Sequence, residues 1–184
     1  AAGERIMVDA GTGARVLGAR LCAARGRGRL LLLLTHYHLD HIMGLPAFGP
    51  FHDPRWTVTI AAPRRGRVVA RQVVPQLLHT PFWPLQVKDL AATIRFQSLG
   101  ADHGRRPLRV GRLRVRWCPV QHPGGCTAYR IDEGRYGVVV ATDVEWGRST
   151  AAARAALTAL CRNPVPAELL VMDGQFSRRT YPAQ

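Results

Sequence analysis

The chain has 184 residues, of which 47% are hydrophobic, and its 26 Lys and Arg against 12 Asp and Glu give a formal net charge of +14. The length suits a single domain over residues 1–184, and the apolar fraction excludes wholesale disorder. The longest aliphatic run, residues 30–34, is too short to cross a bilayer. No secretion leader is recognisable, so we expect a cytoplasmic protein without a membrane partner.

Short apolar runs alternate with helical patterns along the chain, which predicts an α/β fold. Strands are predicted at residues 5–9, 29–35, 56–62, 93–99, 108–110, 113–120, 127–131, 137–142 and 169–172. The run at 29–35 is continuously aliphatic, as is typical of a strand buried on both faces. Between two later strands, residues 132–134 predict a hairpin turn.

Helices are predicted at residues 14–24, 66–78 and 149–161. We expect the second to be interrupted near Pro75 and the third to have Ser149 as its N-cap. Four residues of the first helix are predicted to face inward: Val16, Leu17, Leu21 and Cys22.

Two features of the composition bear on chemistry. Nearly all of the positive charge is arginine, because Lys88 is the only lysine. Arginine binds phosphate groups in bidentate fashion, so the charge favours an anionic substrate and leaves nucleic acid open as a partner. The four cysteines lie far apart without a C-x-x-C pair, so we expect free thiols rather than disulfides.

A dense polar cluster directly follows the aliphatic strand. Three imidazoles and a carboxylate occur within six positions: His36, His38, Asp40 and His41. A buried strand that runs into such a cluster places it at a sheet edge, where open α/β folds carry their sites. His36 and His38 can project the same way and offer two nitrogens to one metal, and Asp40 and His41 can face a second. Imidazole with carboxylate suits zinc, manganese or iron.

Two later residues fit the same picture. His122 and Asp143 each follow a predicted strand by one or two positions, and they are interpreted as a third nitrogen ligand and a carboxylate that bridges two metals. Asp9 also follows a strand, and it either caps the turn at residues 11–13 or holds a ligand imidazole. Thr35 and Asp173 are expected to have structural or supporting roles.

In these residues the chain resembles the metallo-β-lactamase superfamily of metal-dependent hydrolases. Residues 36–41 match its H-x-H-x-D-H signature, and the similarity extends to residues 8–13, 44–46, 121–125, 141–143 and 172–175. The His-Pro-Gly-Gly and Ala-Thr-Asp elements are most similar to the branch with cyclic phosphodiesterases of the phosphonate-pathway type and ribonuclease Z. The resemblance implies a four-layer αβ/βα sandwich and two divalent metal ions. We expect these ions to be Zn²⁺ rather than Mn²⁺ or Fe²⁺.

The resemblance also implies an assignment of ligands. His36, His38 and His122 would hold the first metal, Asp40 and His41 the second, and Asp143 would bridge them. The family places a last histidine after the segment at residues 172–173, whereas this sequence has no histidine after His122. We therefore expect a chain cropped at both ends and a weak second site. Homodimers are frequent in the family.

The predicted function is hydrolysis of a cyclic or small phosphodiester by a metal-bridging hydroxide, with Asp40 orienting the hydroxide or accepting its proton. Three alternatives stay open: a ribonuclease Z-like RNA endonuclease, a lactone or thioester hydrolase, and a non-catalytic scaffold that retains part of the metal site. Dinucleotide-binding, P-loop, serine-nucleophile and zinc-deaminase motifs are absent from the sequence.

Overall fold

Two β-sheets organise the fold. The structure is a computed structural model that describes residues 4–24, 27–100 and 106–174. In the first sheet all strands are parallel, in the order β1 (Arg5–Val8), β2 (Gly28–Leu33), β3 (Trp56–Pro63) and β4 (Thr93–Leu99). The second sheet is antiparallel except for its last pair, in the order β5 (Leu108–Val110), β6 (Leu113–Val120), β7 (Cys126–Glu133), β8 (Tyr136–Ala141) and β9 (Leu169–Met172).

Helices cover the outer face of each sheet. The α-helices of the described residues are α1 (Ala14–Ala23), α2 (Leu39–Ile42), α3 (Ala70–Leu77) and α4 (Ala151–Arg162), and short 3-10 helices occur at Gly49–His52, Val87–Asp89 and Trp146–Arg148. The first three contribute buried side chains to one core with β2 and β3, and α4 packs Leu157 and Leu160 on the second sheet. A third core lies between the sheets. The predicted four-layer sandwich is therefore confirmed.

Strand β2 shows how the sequence encodes these layers. Leu30 and Leu32 point to the helix side of the sheet, whereas Leu31 and Leu33 point to the core between the sheets. All four side chains are buried. Because burying one leucine contributes about 1.5–3 kcal/mol, an aliphatic run with both faces covered anchors the centre of the fold. It also holds the segment that follows, residues 34–41, rigidly at the sheet edge.

The inward face predicted for α1 is wrong in part. Val16 and Leu17 are 58% and 40% exposed, and the buried positions of α1 are Ala14 and Gly18. A Cβ on Gly18 would lie 2.7 Å from the backbone nitrogen of Gly49, so the helix crosses that turn at close range. Small residues therefore form the closest contact with that turn, and Val16 and Leu17 lie outside it, whereas Leu21 packs partly buried against the core as predicted.

Three other local predictions need correction. Helix α3 begins at Ala70 because residues 65–68 form a tight turn, and it continues past Pro75 to Leu77. The N-cap of α4 is Thr150, whose hydroxyl accepts from Ala153 N at 3.1 Å, while the Ser149 hydroxyl donates to the Glu145 carbonyl.

The β7–β8 turn also lies later than predicted. Strand β7 continues to Glu133, because Asp132 and Glu133 still pair with Gly137 and Tyr136 of β8; the Asp132 side chain contacts Arg116 and Arg130. All four cysteines are free thiols, as expected, although only Cys118 and Cys126 are fully buried. None of the helices in the described ranges is long and apolar enough to span a membrane.

Candidate metal site

Residues that follow strands of both sheets converge at one edge of the sandwich. Asp9 follows β1, the residues from Thr35 to His41 follow β2, His122 follows β6 and Asp143 follows β8. The two sheets present these ends to each other, so side chains up to 107 positions apart in sequence come into contact, as between Thr35 and Thr142. The structure thus brings the sequence-predicted cluster together with its two later members.

Three imidazoles form the first set of potential ligands. The ring centroids of His36, His38 and His122 lie 4.4–4.9 Å apart, and their ligand atoms all lie within 4.8 Å of one another. His38 Nδ1 is 3.1 Å from His122 Nε2. Two nitrogens bound tetrahedrally to one zinc ion at about 2.05 Å would lie roughly 3.3 Å apart. The spacing of this set therefore fits a single ion.

A second set shares His36 with the first. His36, His41 and Asp143 also offer three ligand atoms within 4.8 Å of one another. Asp143 Oδ2 lies 2.7 Å from His41 Nε2 and 3.6 Å from His36 Nε2. Asp40 Oδ2 lies 3.3 Å from His41 Nε2, but its side chain is 76% exposed and it belongs to neither set. Asp143 therefore belongs to the second set only, its predicted bridging role stays a prediction, and Asp40 lies on the solvent side.

Hydrogen bonds fix the tautomer of His36. The Thr35 hydroxyl donates to Asp9 Oδ2 at 2.7 Å, so it must accept from His36 Nδ1, which lies 3.0 Å away. The proton of the neutral ring is therefore on Nδ1, and Nε2 keeps its lone pair. Burial, together with the neighbouring imidazoles of His41 and His38, lowers the pKa of His36 to about 3, so this ring is neutral at pH 7.

His41 is held from the opposite side by Asp9. His41 Nδ1 donates to Asp9 Oδ2 at 2.7 Å, because a carboxylate oxygen can only accept. This hydrogen bond raises the pKa of His41 above its ordinary value of 6.5, against the opposing effect of burial. Asp9 Oδ1 also accepts from the Thr35 backbone nitrogen at 2.7 Å. Of the two roles predicted for Asp9, its contacts agree with support of an imidazole and not with capping of the turn.

Two buried polar atoms at this edge have no hydrogen-bond partner among the described residues: His36 Nε2 and Asp143 Oδ2. Asp143 Oδ2 lies 2.7 Å from His41 Nε2 as an ion-pair contact, but it makes no hydrogen bond with a described residue. Buried polar atoms are normally paired, since an unpaired one costs about 1–3 kcal/mol. The nitrogen and oxygen donors present therefore fit one or two divalent cations, which would satisfy both atoms.

The backbone is strained at two aspartates of this edge, the supporting Asp9 and Asp143 of the second ligand set. Asp9 and Asp143 have φ angles of 58° and 50°, and they are the only non-glycine residues with positive φ in the described part of the chain. Such conformations persist where the surroundings impose them, and they concentrate at functional sites. Here each aspartate follows the end of a strand, and its left-handed backbone conformation changes the direction of the chain at the sheet edge that carries the imidazoles.

Arg65 joins the two sheets beside the site, and the sequence analysis gave it no role. Its guanidinium donates to the Thr35 carbonyl at 3.1 Å and also to the Thr127 hydroxyl. A Cβ on Gly125, where φ is +81°, would lie 3.2 Å from the Arg65 Nη1 atom. The arginine therefore ties the backbone just before His36 to Thr127 in β7, and it lies beside the turn that follows His122. It lies in an Arg-rich surface stretch, and sequence alone could not distinguish it from its neighbours.

Asp173 follows β9, and its backbone N–H donates a hydrogen bond to the Ala141 carbonyl at 3.3 Å. It belongs to neither ligand set. Its predicted supporting role stays a prediction, and Gln175, which closes the last segment of the resemblance, lies outside the described residues.

Comparison with known proteins identifies the family of the fold. A family model described as "Beta-lactamase superfamily domain" matches residues 4–182. The chain belongs to the beta-lactamase superfamily. The superfamily inferred from the H-x-H-x-D-H segment is thereby confirmed. No curated protein matches this superfamily member significantly.

Two solved structures are similar to this superfamily member. The metallo-beta-lactamase fold protein YhfI from Bacillus subtilis shares 22% identity at a TM-score of 0.47, over 73% of this chain and 48% of YhfI. The short form of human tRNase Z (ELAC1) shares 15% identity at a TM-score of 0.52, over 95% of this chain and 82% of the human chain. The chain thus spans about half the length of YhfI, and the likeness concerns the fold alone.

Proposed function

We propose that this chain is a metal-dependent hydrolase of phosphodiesters, with zinc as the preferred metal. The observation that carries the proposal is the pair of ligand sets that share His36 and contain two buried, unpaired donor atoms. His36, His38 and His122 would hold a first ion. His41 and Asp143 would hold a second, with Asp143 between the two and Asp40 on the open side.

Bound divalent ions lower the pKa of a water ligand to about 7 and neutralise charge on phosphoryl oxygens. The residues of the chain then have separate tasks. Thr35 and Asp9 hold His36 and His41 in fixed tautomers and orientations. Asp40 faces solvent beside His41, where it can accept a proton from an attacking water.

Charge supports an anionic substrate over a neutral ester. The formal net charge is +14. In the described residues, the Arg65 guanidinium uses only Nη2 in its hydrogen bonds, which leaves donors on Nη1 and Nε for a further acceptor. A guanidinium with free donors at the site edge suits a phosphoryl oxygen.

The same charge favours RNA as a second candidate substrate, as in a ribonuclease Z-like endonuclease. The solved structure of a tRNase with the same fold agrees with this candidate. Bound metal ions could also polarise the carbonyl group of a lactone or thioester substrate. The positive charge of the protein, however, does not favour such a substrate.

The test compares three substrates with zinc-loaded protein: bis(p-nitrophenyl) phosphate, p-nitrophenyl butyrate and a labelled precursor tRNA. We expect the phosphodiester to be hydrolysed, and Asp143→Ala to abolish turnover. His79→Ala removes an exposed imidazole outside both ligand sets and is the matched control. Cleavage of the carboxylic ester alone would replace the proposal with an esterase, and tightly bound zinc without any turnover would replace it with a scaffold.

A further inference from the structure

Two hairpin turns lie side by side at the end of the second sheet opposite the metal site. The β5–β6 and β7–β8 turns are neighbours because Leu113 pairs with Glu133 in the register of β6 and β7. Strand β6 runs from this end to the site, a distance of about 26 Å for eight residues at 3.3 Å each. Between the turns is an open cavity of about 640 Å³, lined mainly by Arg109, Arg112, Arg114, Arg135 and Tyr136. We call it the arginine cleft.

Among the described residues, the four arginines of the cleft outnumber the two acids beside it, Glu133 on its lining and Glu4, whose side chain lies against Gly111. Arg109 and Arg114 stand directly opposite each other on β5 and β6, an arrangement in which like charges repel. Asp132 is opposite Arg114 on the next strand, but its two carboxylate oxygens are engaged by other arginines. Oδ2 contacts Arg116 at 2.6 Å, and Oδ1 contacts Arg130 at 2.7 Å. An external anion would relieve this repulsion.

Within the described ranges, Arg109, Arg112 and Arg114 have no hydrogen bond or ion pair from their side chains, although Glu133 lines the cleft and Glu4 lies against Gly111. Three guanidinium groups that make no hydrogen bond to any described residue therefore line one concave surface. Guanidinium donors in a fork match the oxygens of phosphate groups.

An exposed aromatic ring completes the cleft. Tyr136 is 52% exposed, and the Arg135 guanidinium lies 5.1 Å from its ring centroid and 3.3 Å from its hydroxyl. Cations that line a groove together with an exposed aromatic ring are the combination that binds single-stranded nucleic acid, in which phosphates pair with cations and bases stack.

From this combination we propose that the arginine cleft binds the backbone of single-stranded nucleic acid. A concave surface with an aromatic platform favours this ligand over an anionic membrane, which would meet a flat face. The inference does not depend on the proposed hydrolase activity, because the cleft lies at the opposite end of β6 from His122.

The experiment measures binding of a fluorescent twelve-nucleotide oligo(U) by anisotropy, with EDTA present so that no metal contributes. The cleft variant carries Arg→Gln substitutions at positions 109, 112, 114 and 135. The control variant carries the same substitution at positions 15, 20, 71 and 162, which are exposed on helices. Both variants lose four positive charges, and circular dichroism confirms that each is folded.

We expect the cleft variant to bind at least about tenfold more weakly than wild type, with a slope of log affinity against log salt that is shallower by about 3, since each lost phosphate contact accounts for about 0.7. The control variant should stay within threefold of wild type. Equal losses in both variants, no loss in either, or wild-type binding to phosphatidylserine vesicles but not to the oligonucleotide would each overturn the proposal. If the cleft variant is unfolded, the double variant Arg112→Gln/Arg135→Gln in the two turns gives the same comparison.

Tyr136 tests the stacking part of the proposal. Tyr136→Ala should weaken binding by about fivefold or more, whereas Tyr136→Phe keeps the ring and should bind as wild type. Equal losses in the two variants would contradict stacking. Hydrolysis of bis(p-nitrophenyl) phosphate should be unchanged in all the cleft variants, so that failure of this inference is distinguishable from failure of the proposed function.

Discussion

Nε2 of His36 lies 3.6 Å from Oδ2 of Asp143, and neither atom has a hydrogen-bond partner in the described part of the chain. Both side chains nevertheless have defined neighbours: His36 Nδ1 donates to the Thr35 hydroxyl, and Asp143 Oδ2 lies 2.7 Å from His41 Nε2. A fold that buries two acceptor atoms without a hydrogen-bond partner is less stable at that point than one that pairs them. Such local conflicts are expected where a ligand completes the structure.

The Asp9–His41 hydrogen bond predicts a specific pH dependence of stability. Because Asp9 raises the pKa of His41, the protonated ring stabilises the metal-free fold fully below pH 6.5, and this contribution is lost as the pH rises through the higher folded pKa. Asp9→Asn removes the largest cause of the raised pKa, leaving the smaller effects of Asp143 and Asp40, and asparagine tolerates the positive φ at this position. In EDTA, the Tm difference between wild type and Asp9→Asn should shrink from pH 6 to pH 9. A difference that is constant with pH would contradict the assignment.

The substitution Asp40→Ala distinguishes loss of turnover from loss of zinc binding by the first ligand set. The Asp40 side chain is exposed and belongs to neither ligand set, so the variant should keep one zinc ion on His36, His38 and His122. Turnover of bis(p-nitrophenyl) phosphate should fall by about 10²–10⁴-fold, as is usual when a general base is lost. Glu168→Ala, which removes an exposed acid elsewhere, is the control. Turnover within tenfold of wild type would exclude a catalytic role for Asp40.

Gly44 fixes the loop that carries His41 against the strand end that carries Asp9. A Cβ at position 44 would lie 2.1 Å from the Gly11 carbonyl oxygen, so Gly44→Ala must displace backbone. We expect a loss of about 1–3 kcal/mol in the free energy of unfolding by urea, with weaker zinc binding. Gly147→Ala is the matched control, because no atom lies within 4 Å of its Cβ position. Equal stability of the two variants would show that the loop can move freely.

Arg130 ties α4 to the second sheet. Its fully buried guanidinium donates to Asp132 at 2.7 Å and to the carbonyls of Leu160, Cys161 and Val165 at 2.7–3.0 Å. Arg130→Met should destabilise the fold by about 3–5 kcal/mol, because one partner of a buried charged pair is removed. Arg71→Met on the exposed face of α3 should stay within about 0.5 kcal/mol. A similarly small effect at Arg130 would contradict a structural role for this network.

Sequence reasoning succeeded where the signal is local. The ligand types at positions 36, 38 and 41 follow one aliphatic strand directly, and the leucines of β2 indicate by themselves that both faces of that strand are buried. His122 and Asp143 also follow predicted strands, and this placement predicted that they would lie at the same sheet edge as the first three histidines.

Contacts between distant residues were beyond the reach of the sequence. The role of Asp9 depends on His41, 32 positions away, and the Arg65–Thr127 contact joins residues 62 positions apart in different sheets. The exposure of Val16 and Leu17 follows from the close approach of Gly18 to a distant turn. In each case the residue that determines the contact is far away in the sequence, so a pattern of neighbouring residues does not indicate it.

The most direct test of the account is anomalous diffraction at the zinc absorption edge from crystals grown with zinc. We predict a peak about 2.0–2.1 Å from nitrogens of His36, His38 and His122, and at higher zinc concentration a second peak between His41 and Asp143. A map that shows ordered zinc elsewhere and no peak among the three imidazoles would contradict the central claim that this edge is a metal site.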